Sequence, residues 1–124
     1  MDLVATDDAP KAIGPYSQAI RANGLVFTSG QIALDPSTGN LVEGGFEAQA
    51  RRVFENLKAI LTASGSDFDR VLKATVYVTD LANFQTLNSI YASYFGEHKP
   101  ARTTVEVPVL PKGSLLEIDL VALT

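Results

Sequence analysis

The spacing of hydrophobic and polar positions changes several times along the chain, and each change marks an element. Ser17 to Arg21 and Leu25 to Ser29 are two apolar-containing runs that flank Asn23-Gly24. Asn-Gly between such runs predicts a β-hairpin, because a type I′ turn needs positive φ at both central residues. Asp35-Pro36-Ser37-Thr38-Gly39-Asn40 is a second turn cluster, and Leu41-Val42 reads as a short strand after it. Residues 1–15 are polar and carry Pro10 and Pro15, so they form a lead-in with at most a short strand.

From Phe46 to Ser64 the spacing becomes helical. Phe46, Ala50, Val53, Phe54, Leu57, Ile60 and Leu61 recur at three and four, and Gly65 is the stop. Val71 to Thr79 is rich in β-branched residues and predicts a strand. Alternation puts Leu72, Ala74, Val76 and Val78 on one face and Val71, Thr75 and Tyr77 on the other. A second helix is predicted from about Asn83 to Phe95, capped by Asp80 or Asn83, with Phe84, Leu87, Tyr91 and Phe95 as its buried stripe. Asn88 falls on that same side. Two strands close the chain, Thr103 to Val107 and about Leu115 to Leu123, joined through Leu110-Pro111-Lys112-Gly113 as neighbours in a hairpin.

The order strand, strand, helix, strand, helix, strand, strand predicts an α+β domain over residues 1–124. Two helices should pack on one face of a mostly antiparallel sheet. The other face keeps Tyr77, Val105 and Val121. Apolar residues on an open face call for a cover, so an oligomer is expected.

Composition narrows the chemistry. The chain has no cysteine, which removes thiolate catalysis, disulfides and thiolate metal sites. Its one histidine, His98, cannot build a multi-histidine metal site within one chain, and no metal or cofactor is expected. The net charge of -4 argues mildly against nucleic acid as a partner, since such binders usually present a basic face, although a local basic patch can sit inside a negative total. No run approaches ~18 apolar residues and no signal peptide is visible, so a cytoplasmic protein with no membrane partner is expected.

Arg102 is the first candidate for chemistry. It stands at the start of a strand after Pro100-Ala101, and its planar fork matches a carboxylate. Thr104, two residues on, shares its sheet face and offers a hydroxyl. Glu117 lies on what reads as the adjacent strand. Arg102 and Glu117 could form a site for a small anion or a plain cross-strand ion pair; the pattern leaves both open. Asn88, an amide on an apolar stripe, must find a partner inside the fold or in a ligand. Ser29-Gly30 is either a β-bulge or a place where backbone meets ligand. Tyr16, delivered by the rigid turn Gly14-Pro15, either walls a pocket or caps the core. His98 reads as a solvated loop residue. No phosphate-binding glycine loop is present.

These clusters, taken in order, resemble the reactive intermediate deaminase family, also called RidA or YjgF-like. The matching runs are 12–19 (Ala-Ile-Gly-Pro-Tyr-Ser-Gln-Ala), 26–32 (Val-Phe-Thr-Ser-Gly-Gln-Ile) and 78–81 (Val-Thr-Asp-Leu). Asn88, Tyr91, Pro100-Ala101-Arg102, Leu110-Pro111-Lys112-Gly113 and Leu116-Glu117-Ile118 complete the set. The resemblance implies a chorismate-mutase-like fold and a homotrimer with clefts between subunits. It implies cofactor-free hydrolysis of 2-imino acids, such as 2-iminobutanoate and 2-iminopropanoate, to 2-oxo acids and ammonia. Carried over, Arg102 would bind the substrate carboxylate and Glu117 would orient or activate water. Ser29, Gly30 and Thr104 would line the pocket, and Tyr16 and Asn88 would shape it, Tyr16 from a neighbouring subunit. Thr104 stands where many members carry cysteine, and the loop 96–100 is shorter than is common. The alternatives are a non-catalytic small-anion module on the same scaffold and an RNA-acting or chaperone-like relative.

Overall fold

The computed structural model describes residues 1–124. The strands are β1 (Asp2–Val4), β2 (Ala19–Ala22), β3 (Leu25–Thr28), β4 (Val71–Val78), β5 (Ala101–Glu106) and β6 (Leu116–Leu123). The helices are α1 (Gly45–Ala63) and α2 (Phe84–Phe95). One sheet holds all six strands in the order β1-β2-β3-β6-β4-β5. Every pair is antiparallel except β4 and β5, which run parallel. No helix is long and apolar enough to cross a membrane.

The hairpin forms where Asn23-Gly24 marks it. Asn23 has φ 53 and Gly24 φ 77, the double positive φ that a type I′ turn requires. α1 ends as its sequence says. Gly65 adopts φ 78, its N–H reaches Thr62 O at 3.1 Å, and Ser66 N–H reaches Leu61 O at 2.8 Å. That pair of bonds is a Schellman cap, and it satisfies carbonyls the helix end would leave bare.

α1 and α2 cover one sheet face. Val53, Phe54, Leu57, Ile60 and Leu61 of α1 meet Val26, Ala74, Val76, Leu116, Ile118 and Leu120 in a fully buried core. The opposite face is bare. There Phe27 is 46% exposed, Leu123 42% and Val105 38%. Phe27 pairs with Val121 and Val105 with Tyr77, so the apolar residues lie side by side across the strands.

Four expectations need correction. β5 and β6 are not a hairpin: β4 lies between them, because α2 is a crossover that returns the chain parallel to β4. A register shift between Val71 and Lys73 turns the start of β4, so Val71 is fully buried while Leu72 is 45% exposed. Leu41-Val42 forms no strand; Leu41 makes only an isolated bridge to Leu34. His98 is not a solvated loop residue. It is half-buried, and its Nε2 lies 2.6 Å from the Val71 carbonyl at the β4 irregularity.

Candidate active site

Arg102 and Glu117 belong to two separate constellations. Arg102 pairs with Ala74 across β4 and β5, on the face that the helices cover. Glu117 pairs with Tyr77, on the bare face. Alternation along β6 forces this, because Leu116 and Ile118 on either side of Glu117 are fully buried in the core. Within one chain the two side chains point to opposite sides of the sheet. The cross-strand ion pair is therefore ruled out, and so is a site formed by both groups inside one subunit.

The first constellation gathers at the β5 edge under α2. The Arg102 Nη1 donates to Asn88 Oδ1 at 2.8 Å. Its Cζ lies 4.8 Å from the Tyr91 ring centroid and 5.5 Å from that of Phe84. The chain's two ion pairs are Arg21–Asp2 and Arg51–Glu47, so Arg102 has no acidic partner. A guanidinium carries five N–H donors, and most of these are uncommitted. Thr104 shares the Arg102 face, and its Oγ1 is buried without a hydrogen-bond partner, as is the Tyr91 hydroxyl. Burial pushes the Tyr91 phenol above its usual value, and the nearby Arg102 charge opposes that rise. Asn88 thus finds its partner inside the fold, in Arg102.

The second constellation lines a cleft of about 280 Å³. Tyr16, Gln18, Gly30, Gln31, Lys112 and Glu117 contribute to it. Gln31 N–H donates to Ile118 O at 2.9 Å and Ile118 N–H returns to Gln31 O at 3.1 Å. This closed pair holds the 29–32 segment against β6 and sets Gly30 beside Glu117. A Cβ on Gly30 would lie 2.9 Å from the Glu117 Cδ and would collide with its carboxylate oxygen. The backbone angle does not call for glycine here; a side chain at position 30 would push Glu117 out of this place. Burial pushes the Glu117 carboxyl up, and the charge of Asp119 adds to the rise.

Tyr16 is 51% exposed in a tight turn, where its N–H reaches Gly14 O at 2.9 Å and its hydroxyl accepts from Ile13 N–H at 3.4 Å. It walls the cleft and does not cap the core. The buried Gln18 ties the lead-in down: its Nε2 donates to Pro10 O at 2.8 Å and to Thr6 O at 3.0 Å. Ser29 turns its hydroxyl back to donate to Ser17 O at 2.5 Å, so toward a ligand it has only lone pairs to offer. Of the seven candidates, the structure groups Tyr16, Gly30 and Glu117 in the cleft, and Arg102, Asn88 and Thr104 at the edge. Ser29 belongs to neither group, its hydroxyl being turned to Ser17 O.

Sequence reasoning placed Tyr91 correctly against the core but missed Phe84 and Tyr91 as Arg102 contacts. The signal was available in the spacing 84, 88, 91, which puts both rings on the Asn88 face. It also missed Gln18 and Lys112. A larger depression of about 480 Å³ lies along α1 among Thr6, Asp8, Arg52, Glu55 and Lys58. Those charges are the solvated face of an amphipathic helix, and none of the candidate residues reaches it. No group of three or more His, Asp or Glu side chains is placed to hold a metal ion.

A family model described as Endoribonuclease L-PSP matches residues 6–124. The chain belongs to this family, the YjgF/RidA family. RutC family protein PH0854 of Pyrococcus horikoshii is 51% identical, over 98% of this chain and 96% of that protein. The human 2-iminobutanoate/2-iminopropanoate deaminase is 46% identical, over 98% of this chain and 88% of its own length. Among solved structures, Escherichia coli TdcF with bound serine is 42% identical with a TM-score of 0.94, covering 100% of this chain and 99% of its own. The α+β architecture of helices on one face of a mostly antiparallel sheet is thus that of the YjgF/RidA family. Deaminase names among its relatives support reactive-intermediate deamination as the general activity of this group.

Proposed function

We propose that this YjgF/RidA protein hydrolyses 2-imino acids to 2-oxo acids and ammonia, without a cofactor, in clefts between the subunits of a homotrimer. The observation that carries the reading is the division of the site. A cation without an acidic partner lies at the β5 edge, and a half-buried carboxylate lies in a cleft on the bare sheet face. The Arg102 edge lacks the carboxylate that the cleft holds, and the cleft, whose cations are Lys11 and Lys112, lacks an arginine fork. The apolar bare face needs a cover, and a second subunit placed there brings its Arg102 edge to the Glu117 cleft of the first.

The chemistry follows from the two groups. Arg102 binds the substrate carboxylate in a bidentate fork, with Asn88 holding the guanidinium. Thr104 and Gly30 line the pocket, and Tyr16 closes its wall. Ser29 supports that wall through Ser17. Glu117 takes a proton from water as the oxygen adds to the imine carbon. The carbinolamine nitrogen takes that proton back from Glu117, the C–N bond breaks as the hydroxyl gives its own proton to the Glu117 carboxylate, and ammonia leaves with the carbonyl formed. A protonated imine is already electrophilic, so holding the carboxylate and the water supplies most of the acceleration. The raised Glu117 pKa suits a general base better than an ordinary exposed carboxylate would. That a relative, TdcF, holds serine supports a ligand of amino-acid type.

A coupled assay tests the reading. A threonine dehydratase generates 2-iminobutanoate, and this protein should speed the appearance of 2-oxobutanoate. Arg102→Ala should abolish that acceleration while the protein stays folded. No acceleration by the unmodified protein contradicts the reading. Ligand-induced thermal stabilisation without turnover would point instead to a non-catalytic anion module. A light-scattering mass near three times 13.2 kDa is expected for the trimer.

A further inference from the structure

Three residues of one α2 stripe meet Arg102. Phe84, Asn88 and Tyr91 are spaced by four and three, so they share a helix face. Asn88 accepts the one hydrogen bond that the guanidinium makes. The two rings lie 5.5 and 4.8 Å from its Cζ. At ~6 Å or less a guanidinium over a ring face is attracted by the ring quadrupole.

The rings are anchored differently. Tyr91 is set into the aromatic core, 4.4 Å from Phe95 and edge-on to Phe54 at 5.9 Å. Phe84 joins no aromatic pair, is 40% exposed, and has Arg102 against its face. The core contacts of α2 come instead from Leu87, Ile90 and Phe95. The exposed position of Phe84 is therefore not explained by packing.

We propose that Phe84 and Tyr91 are positioning residues that fix the plane of the Arg102 guanidinium before a ligand arrives. The proposal rests on the reading of Arg102 as carboxylate anchor. An arginine free to turn must lose that freedom when it binds; one already held by an amide and two rings does not. With its plane fixed, the uncommitted N–H donors keep the fork that two carboxylate oxygens match. The Tyr91 hydroxyl takes no part, since the ring face makes the contact.

Phe84→Ala is the cleanest test, because Phe84 is exposed. Its KM for 2-iminobutanoate should rise about fivefold, with kcat within about twofold of the unmodified protein. Phe84→Tyr, which keeps a ring face, should restore the KM. Tyr91→Leu should act in the same direction. The readout independent of turnover is 15N relaxation of the Arg102 Nε–H: its order parameter should fall in Phe84→Ala and recover in Phe84→Tyr. An unchanged order parameter in both Phe84→Ala and Tyr91→Leu overturns the proposal, whatever the kinetics. A lowered order parameter with an unchanged KM overturns the role in binding. Full activity in Arg102→Ala would instead defeat the anchor reading, while the relaxation result still decides whether the rings hold the guanidinium.

Discussion

Arg102 and Glu117 lie on opposite faces of one sheet, with strand β4 between theirs. The sheet pleat makes this separation permanent. A ligand that touches both groups must lie between two subunits, and the effects of substitution divide along the same line.

The contact between Gly30 and Glu117 gives a local test. A Cβ at position 30 would lie 2.9 Å from the Glu117 Cδ. The Glu117 side chain is flexible and can swing away, so Gly30→Ala should fold with little loss of stability. The displaced carboxylate should lower kcat by roughly 100-fold, the scale of a misplaced catalytic group. Steady-state kinetics and a melting curve on the same preparation check both halves. A normal kcat would mean that Glu117 does not act from this position.

The raised pKa of Glu117 has consequences of opposite sign for activity and stability. Burial, and then the charge of Asp119, lift this carboxyl above its usual 4.5. If the carboxylate is the base, kcat/KM should fall as pH drops through that raised value, so the acid limb should lie above the ordinary glutamate range. Stability runs the other way. The folded state holds the proton more tightly than the unfolded chain, so this contribution is fully present below pH 4.5 and is lost as pH rises through the folded pKa. In Arg102→Ala, which removes the neighbouring subunit's cation from the cleft, a further Glu117→Gln should therefore raise the melting temperature at neutral pH and make no difference in acid. A melting temperature lowered at pH 7 would contradict the burial argument.

Tyr91 offers a test that separates ring from hydroxyl. Its hydroxyl is buried without a hydrogen-bond partner. Such a group costs stability, so Tyr91→Phe should leave the protein unchanged or more stable by up to about 1 kcal/mol. The KM should stay near that of the unmodified protein, because the ring face remains over Arg102. Chemical denaturation measures the first and kinetics the second. A clear destabilisation would show that the hydroxyl has a partner in the assembled protein.

Much of this fold could be read from the sequence wherever one strong local rule applied. Asn23-Gly24 specified the turn, and the three-and-four spacing from Phe46 to Leu61 specified α1 and its buried face. The strand pairing of β5 was misread, although the sequence held a warning. A strand, a helix and a strand from Val71 to Glu106 form a crossover unit, which returns parallel. The connection 107–115 is also long for a hairpin. The irregularity at Leu72 left no local sign, because it depends on how β4 meets β6 rather than on any one residue. His98 was misplaced for the same reason, since its partner is the Val71 carbonyl at that irregularity.

The candidate residues could be named from the sequence, and their arrangement could not. The pattern left Arg102, Glu117, Asn88, Gly30 and Tyr16 open between a site and a structural role, and the family resemblance joined them with Thr104 into one set. Which face each one occupies depends on strand order, and the wrong neighbour for β5 put Arg102 and Glu117 together. Phe84 was assigned to the core because it is apolar and in phase. Its ring instead meets a cation, a pairing that apolar spacing does not separate from packing.

Mixing two inactive variants tests the shared cleft most directly. Arg102→Ala and Glu117→Gln should each lack 2-iminobutanoate hydrolysis when pure. Unfolded together in equal amounts and refolded, they should form mixed trimers in which some clefts draw an intact Arg102 from one subunit and an intact Glu117 from the next. Random assembly makes roughly a quarter of the clefts complete, since each cleft takes one constellation from each of two subunits. Recovery of about that share of the unmodified activity is the expected result. Mixed trimers that assemble, as seen by mass, and remain without activity would contradict a site built from Arg102 and Glu117 of different subunits.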